Sequence, residues 1–217
     1  LDMAVIREHL AARGLGLHND LQNETSVVGN FPFILMMLAK GTEAQQAEFI
    51  DGAFNRTHLV AFGLTEPGHG SDATFLDTKA VGRGGSWVIN GTKRFNTGMH
   101  RATHDMVFAR TGGAAGDADG ITCFIVPTAT AGVKIGTYWW TFNMPTDHPD
   151  VHFTDVVVGE DAVFGEVGRG LELANIFVHE NRIRQAASSL GAAQYCIDEA
   201  AKYASAFYGP FREAVDS

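Results

Sequence analysis

The sequence predicts an α+β fold in which helices, a set of antiparallel strands and a long helix follow one another along the chain. Three observations predict it. Apolar residues recur at helical spacing over residues 1–60, strand-like alternation with frequent glycine and proline follows over 61–165, and helical spacing returns over 166–217. We take these three ranges as the predicted domains. The even spacing of the strands favours a small barrel or a sandwich.

Two local signals predict helices before residue 60. Pro32 stands early in an apolar run, where a helix does not need the N–H that proline lacks. Thr42 and Gln45 have the spacing of a capping box, in which each side chain accepts a hydrogen bond from the other residue's backbone N–H. We therefore expect a helix over about 43–54.

The middle range carries a strong hairpin signal at Asn90-Gly91, which lies between β-formers. Both positions of such a turn need positive φ, which these residue types tolerate. This places residues 93–98 on the return strand, with Phe95 and Thr97 on the same side of it. Further strands are expected at 105–110, 121–127, 133–140 and 151–158.

The last range predicts one long helix. Alanine and leucine recur at intervals of three and four residues from Gly168 to about Phe207. We expect Gly209-Pro210 to end the helix, because proline cannot donate the next backbone hydrogen bond. Its apolar stripe, which includes Leu171 and Ile197, needs a partner surface.

Composition excludes several classes of protein. The 217 residues include 16 basic and 25 acidic side chains, and the net charge of −9 argues against a nucleic acid partner. The longest apolar stretch, 31–39, is too short to span a membrane. Residues 1–20 do not form a signal peptide, and Cys123 and Cys196 are expected to be buried free thiols. We expect a cytoplasmic protein, or a mitochondrial matrix protein if a transit peptide has been removed.

The first candidate binding motif is the stretch Leu-Thr-Glu-Pro-Gly-His-Gly-Ser-Asp at residues 64–72. Pro67-Gly68 suits the centre of a type II turn. The glycines leave backbone N–H groups uncovered, and Thr65 and Ser71 add hydroxyls, so the loop can donate several hydrogen bonds to a polar ring or a phosphate. The alternative is an ordinary tight turn after a strand.

The second candidate is the pair Phe95 and Thr97, which offers a flat apolar face and a hydroxyl. A planar heterocycle needs both; the alternative is a buried aromatic beside a surface threonine. Residues 79–110 also contain six basic side chains and one acid, Asp105, which suits a small polyanion or else a solvated face. The histidine pairs at 100 and 104 and at 148 and 152 fall on strand or loop, so we expect no metal.

Together these motifs resemble those of the acyl-CoA dehydrogenase family. Residues 64–72 resemble the signature of its middle domain, and residues 87–97, Trp-Val-Ile-Asn-Gly-Thr-Lys-Arg-Phe-Asn-Thr, resemble its second flavin-contacting strand. The likeness covers nearly the whole chain after residue 20. Four further stretches follow in the family's order: 124–127, 153–158, 165–170 and 182–191.

The resemblance implies an N-terminal helical domain, an antiparallel β-barrel, and a four-helix bundle of which 166–217 would hold the first helix. FAD would lie between barrel and bundle and reach a neighbouring subunit of a homo-oligomer. An acyl-CoA would undergo α,β-dehydrogenation to a trans-2-enoyl-CoA. Its electrons would pass to an electron-transfer flavoprotein or a similar acceptor.

The resemblance also assigns flavin-binding residues in two stretches. Thr65 would bond the isoalloxazine, Ser71 would also touch the pantetheine arm of the substrate, and Phe95 stands where the family more often has tryptophan. The full set is Phe62, Gly63, Leu64, Thr65, Gly70 and Ser71 in the first stretch, and Phe95, Asn96 and Thr97 in the second.

The sequence departs from the family at catalysis, and no catalytic residue is assigned. The family's usual glutamate base would lie beyond residue 217. A minority of the family has the glutamate directly before the arginine that matches Arg182, but Asn181 stands there, and Glu180 points about 100° away around a helix. The family's Arg-x-x-Phe-Gly is replaced at 207–211.

We therefore expect these 217 residues alone to be inactive. Two alternatives stay open beside a dehydrogenase. One is a non-catalytic protein that binds flavin or acyl-CoA, and the other is an acyl-CoA oxidase-type flavoenzyme.

Overall fold

The computed structural model describes residues 2–15, 31–141 and 148–215, with side chains described except at Phe31 and 208–215. These residues fall into two compact units, one of residues 31–178 and the other of 2–15 with 179–215. The helices are α1 (Asp2–Leu10), which continues as a π-helical segment (Ala11–Leu15), α2 (Phe31–Lys40), α3 (Glu43–Phe54) and α4 (Gly170–Val215). The domain boundaries after residues 60 and 165 stay a prediction.

Eight strands, which follow α3 and precede α4 in the sequence, form one sheet. They are β1 (Val60–Gly63), β2 (Lys79–Arg83), β3 (Ser86–Arg94), β4 (His104–Arg110), β5 (Ile121–Pro127), β6 (Val133–Tyr138), β7 (Pro149–Gly159) and β8 (Val163–Phe164). Their order in the sheet is β6-β7-β3-β2-β4-β5-β8, with β1 beside β4. Two 3₁₀ turns, Ala73–Phe75 and Glu160–Ala162, lie in the connections. The predicted α+β class is confirmed.

Helix α3 is the element that the sequence predicted best. Thr42 Oγ1 accepts from the Gln45 N–H at 3.2 Å, and Gln45 Oε1 accepts from the Thr42 N–H at 3.1 Å. The capping box is thus present, and the helix covers the predicted residues. The Gln45 amide also donates to the carbonyls of Asp161 (3.0 Å) and Val163 (2.8 Å), which ties α3 to the chain after β7.

The predicted antiparallel barrel describes the sheet only loosely, in two respects. The sheet is open, with β6 and β8 at the two ends of the strand order. Strand β1 runs parallel to β4, and β2 meets β4 at a single parallel pair, Lys79 with Arg110. Apolar alternation specifies which face of a strand is buried, but it does not specify the neighbouring strand. The strands of an open sheet and those of a closed barrel can therefore show the same apolar alternation, and the sequence does not distinguish the two.

Both faces of the central strands are covered, which explains the near-continuous apolar runs of β4 and β5. Met106 and Phe108 point to a core that they share with Phe33 and Phe49 of the helices. Val107 and Ala109 point the other way, into a core that strands from distant parts of the sheet share. The sheet is therefore curved around this second core.

The predicted hairpin at Asn90-Gly91 is wrong. The turn between β2 and β3 lies at Gly84-Gly85, whose φ angles are +55° and +85°. Strand β3 continues through Asn90-Gly91 to Arg94 and pairs with β7, with a register shift between Ile89 and Gly91. Gly91 has φ +154°, and an added Cβ would lie 2.3 Å from Thr78 Oγ1. The glycine thus permits a close crossing of chains, and not a hairpin turn.

Helix α4 changes character along its length. Leu173 and Ala174 are buried in the core shared with Phe108, whereas Leu190 and Ile197 are exposed. The helix continues through Gly209-Pro210 to Val215, contrary to prediction, because proline removes one donor but keeps a φ that suits a helix. Cys123 is buried as expected. Cys196 is exposed, because α4 leaves that face uncovered among the described residues.

The register shift in β3 at Gly91 yields a stability prediction. We expect Gly91→Ala to lower the free energy of unfolding by about 2–4 kcal/mol, because the new methyl group meets Thr78 Oγ1 at 2.3 Å and Cα at 2.7 Å, and because alanine is strained at this φ. The control is Gly82→Ala on β2, where the nearest atom is a Trp87 ring carbon at 3.6 Å. Urea denaturation followed by circular dichroism measures both. Equal free energies of unfolding for the two variants would contradict the close approach of Gly91 to Thr78.

Candidate functional site

The loop after β1 contains the first predicted motif. Two hydrogen bonds close a tight turn: the His69 N–H donates to the Glu66 carbonyl at 3.2 Å, and the Glu66 N–H donates to the His69 carbonyl at 3.1 Å. Gly68 does not have the positive φ of the predicted type II turn, since glycine permits that conformation without requiring it. A Cβ added at Gly68 or Gly70 would meet no atom within 4 Å. The loop therefore faces open space.

A buried ion pair fixes this loop to the sheet. Lys93 Nζ lies 2.7 Å from Glu66 Oε1, and both side chains are almost wholly buried. The Glu66 carboxylate also accepts the backbone N–H groups of Asp77 (2.5 Å) and Thr78 (3.0 Å). Burial opposes ionisation of Glu66, yet the Lys93 ammonium and these donors hold the pKa of its carboxyl below the ordinary value. Burial lowers the pKa of Lys93.

The same contacts bring the two predicted motifs together. Lys93 Nζ donates to the Leu64 carbonyl at 3.2 Å, and the Arg94 N–H donates to the Thr65 carbonyl at 2.8 Å. The end of β3 thus lies directly beside the chain that leaves β1. Ser71 is exposed on the same loop, six residues after Thr65.

The segment after β3 is not a strand, so the prediction that Phe95 and Thr97 share a strand face is wrong. Strand β3 ends at Arg94, and Phe95 has φ +63°, which turns the chain. The Phe95 ring remains 43% exposed and offers a flat surface. Thr97 is half-buried as a residue, and the contact of its hydroxyl with the Phe95 carbonyl is exposed and long, at 3.5 Å.

Asn96 and Asp105 form a second buried polar pair beneath this segment. Asn96 Nδ2 donates to Asp105 Oδ2 at 2.6 Å, and both side chains are buried. A Cβ added at Gly63 would lie 2.9 Å from Asn96 Nδ2 and 3.0 Å from Asp105 Oδ1. Glycine is therefore required at the end of β1 for this close approach. Burial raises the pKa of Asp105 to about 7.

Sequence reasoning did not assign roles to Glu66 and Asp105. Asp105 was noted only as the one acid of a basic stretch, although an acid within an apolar strand, followed by Met-Val-Phe-Ala, is itself a signal. The ring of Phe62, a residue that the resemblance assigned to the flavin, has an aromatic neighbour within the protein. This ring stacks on Phe177, with centroids 4.2 Å apart, and so belongs to the core.

The basic stretch is less available to a polyanion than its composition suggested. Arg94 makes two hydrogen bonds to Asp150, at 2.8 and 3.0 Å, and lies 4.5 Å from the Trp139 ring centroid. Lys93 is paired with Glu66, and Arg110 donates to four backbone carbonyls. Half of the six cations are thus used within the protein.

Comparisons with known proteins agree with this arrangement. The family model described as "Acyl-CoA dehydrogenase, middle domain" matches residues 61–156. A 3-(aryl)acrylate reductase of Clostridium sporogenes is 36% identical over 85% of this chain and 48% of its own length. The caffeyl-CoA reductase-Etf complex subunit CarC of Acetobacterium woodii is 34% identical over 75% of this chain and 43% of its own.

Among solved structures, butyryl-CoA dehydrogenase of Megasphaera elsdenii superposes with a TM-score of 0.69 and 34% identity, over 79% of this chain and 45% of that one. The open sheet and its two loops therefore form a middle domain of the acyl-CoA dehydrogenase type. The chain belongs to the acyl-CoA dehydrogenase family, an oxidoreductase family whose members are flavoproteins that bind FAD. The chain spans less than half the length of these three relatives.

The Lys93–Glu66 pair yields a second prediction. We expect Lys93→Met to lower the free energy of unfolding by about 3–5 kcal/mol, because it leaves a buried carboxylate without its counter-charge. The matched control is Lys79→Met on β2, where the lysine is exposed. Chemical denaturation of both variants measures the difference. A loss at Lys93 no larger than at Lys79 would show that the ion pair does not hold the loop.

Proposed function

We propose that this chain supplies the flavin-binding part of an enzyme that removes hydrogen from the α and β carbons of an acyl-CoA, giving a trans-2-enoyl-CoA. The observation that carries the proposal is the hydrogen bond from the Arg94 N–H to the Thr65 carbonyl, at 2.8 Å. It joins two stretches that are distant in sequence and that separately suit a planar cofactor.

The residues present fit FAD. The exposed Phe95 ring offers an apolar surface for an isoalloxazine, and the hydroxyls of Thr65 and Thr97 can bond its polar edge. The space beside Gly68 and Gly70 leaves backbone N–H groups free to approach a phosphate. Bound FAD would supply a two-electron acceptor, and the chain's own residues would bind it and keep it oriented.

The nine predicted residues divide into two groups under this proposal. Thr65, Gly70, Ser71, Phe95 and Thr97 are exposed or half-buried and would border the flavin, and Ser71 would also meet the pantetheine arm of the substrate. The remaining four residues would support the flavin site from behind or offer it only backbone atoms, because their side chains are absent, buried or packed in the core. They are Phe62, Gly63, Leu64 and Asn96.

Three of the described carboxylates near this site are engaged, which favours a second candidate, a non-catalytic flavin- or acyl-CoA-binding protein. Glu66 is paired with Lys93, Asp105 is buried beneath Asn96, and Asp72 accepts from the N–H and hydroxyl of Thr74. None of these three is placed to remove the α-proton of a thioester. Glu180, in the other unit, is bound by Arg184 at 2.7 Å.

The proposed partners follow from the family and its members. The substrate class is an acyl-CoA, and the electron acceptor is an electron-transfer flavoprotein, which the name of the Acetobacterium woodii relative also mentions. We propose a homo-oligomer for the full-length protein. Among the described residues, no helix has both the length and the apolar character that a bilayer crossing requires.

Flavin binding is tested by filling the open space beside the loop. We expect Gly70→Val to weaken FAD binding at least about tenfold, equivalent to about 1.4 kcal/mol, with little change in unfolding. The control is Gly112→Val, on another loop where an added Cβ also meets nothing within 4 Å. Fluorescence titration of FAD measures both. Equal affinities of the two variants would remove this loop from the flavin site.

Turnover is tested separately, with acyl-CoA thioesters and an artificial electron acceptor. We expect the 217-residue chain to show no dehydrogenation, because the carboxylates of Glu66, Asp72 and Asp105 are each held by other groups of the protein. Turnover would place a base within the chain, and Glu180→Gln would then be the first variant to measure. Reduction of molecular oxygen instead of the acceptor would indicate the oxidase-type alternative.

A further inference from the structure

The buried pair of Asn96 and Asp105 has an unusual shortage of donors. Asn96 Nδ2 donates to Asp105 Oδ2, but Asn96 Oδ1 and Asp105 Oδ1 are both buried and have no hydrogen-bond partner. Both orphan atoms are acceptors when the carboxyl is ionised. Leaving two acceptors unsatisfied in a protein interior is costly.

One proton resolves the shortage. A carboxyl that carries hydrogen on Oδ1 becomes a donor, and the amide oxygen of Asn96, the residue it already contacts, is a buried acceptor that lacks a partner. Acid and amide can then form a ring of two hydrogen bonds. The acid O–H donates to Asn96 Oδ1, and Asn96 Nδ2 donates to Asp105 Oδ2.

We propose that Asp105 carries this proton at about pH 6 and acts, through Asn96, as a positioning residue for Phe95–Thr97. Asn96 is the central residue of that segment, and its side chain points into the interior while Phe95 stays exposed. Fixing the Asn96 amide by two bonds therefore fixes the residues on both sides of it. The role of the segment in binding flavin rests on the function proposed above, whereas the proton on Asp105 does not.

The surroundings of Asp105 agree with a neutral acid. Lys93 on β3 favours the ionised form, but its ammonium is already held by Glu66 at 2.7 Å. Cys123 on β5 is buried, and burial together with Asp105 raises the pKa of its thiol, so it stays uncharged. Gly63 on β1 contributes no side chain. Burial therefore dominates, and the pKa of Asp105 rises to about 7.

Raising the pH should release the segment. Because the folded-state pKa of Asp105 lies above its ordinary value of 3.8, the folded protein holds a proton that the unfolded chain loses between pH 3.8 and about 7. Its stabilising effect is complete below that window and is lost as pH rises through it. The ionised acid can no longer donate to Asn96 Oδ1, so Phe95–Thr97 loses one of its two anchoring bonds.

The test uses the whole chain and reads the proton directly. Infrared spectra of protein with isotope-labelled aspartate should show the C=O band of a buried carboxylic acid at about pH 6, fading by about pH 9. The band should be missing in Asp105→Asn and unchanged in Asp51→Asn, an exposed acid on α3. Absence of a titrating band from the unmodified protein would overturn the proposal.

Positioning is read without flavin, by hydrogen exchange at residues 95–99. In Asp105→Ala this segment should exchange at least about tenfold faster, as expected for losing at least about 1.4 kcal/mol of anchoring. Asp105→Asn can form the same two-bond ring without a titrating proton. In this variant the segment should therefore stay protected from exchange at about pH 6 and at about pH 9. Unchanged exchange in Asp105→Ala would refute the positioning role, whatever the FAD titration shows. If the infrared and hydrogen-exchange results are both as expected but FAD does not bind, the proposed function fails and the role of Asp105 stands.

Discussion

The candidate site depends on one buried ion pair, between Lys93 and Glu66. Removing two charges from water costs several kcal/mol per ion, so the pair adds little net stability by itself. We infer that its effect is specificity, because the observed arrangement of the loop lets Glu66 accept hydrogen bonds from Lys93 and from two backbone N–H groups together. That arrangement brings the Thr65 carbonyl to the Arg94 N–H. The contact between the two motifs follows from it.

The sequence predicted those elements whose signals are local. Thr42 and Gln45 are three residues apart, so the capping box that begins α3 could be recognised without knowing the fold. Strand β5 matched its prediction for a similar reason, since a short apolar run bounded by Gly120 and by polar residues leaves few alternatives. The family resemblance likewise depended on short stretches of residues that stand in order.

The errors concern contacts between distant residues. Asn90-Gly91 has the composition of a hairpin turn, but the reason for Gly91 is Thr78, thirteen residues away and on another part of the chain. The parallel pairing of β1 with β4 and the open edges of the sheet are equally invisible to periodicity. Asp105 lacked a predicted role because its partner, Asn96, faces the interior only after the positive φ of Phe95 turns the chain.

The close approach at Gly63 constrains how this protein can change. An alanine at position 63 would be in steric conflict with both Asn96 and Asp105. Conversely, a longer side chain at position 96 or 105 would meet the backbone of β1. Three residues that are 33 and 9 positions apart therefore cannot vary independently. In related chains, we expect replacements at these positions to occur jointly or not at all, so that the trio is inherited as one unit.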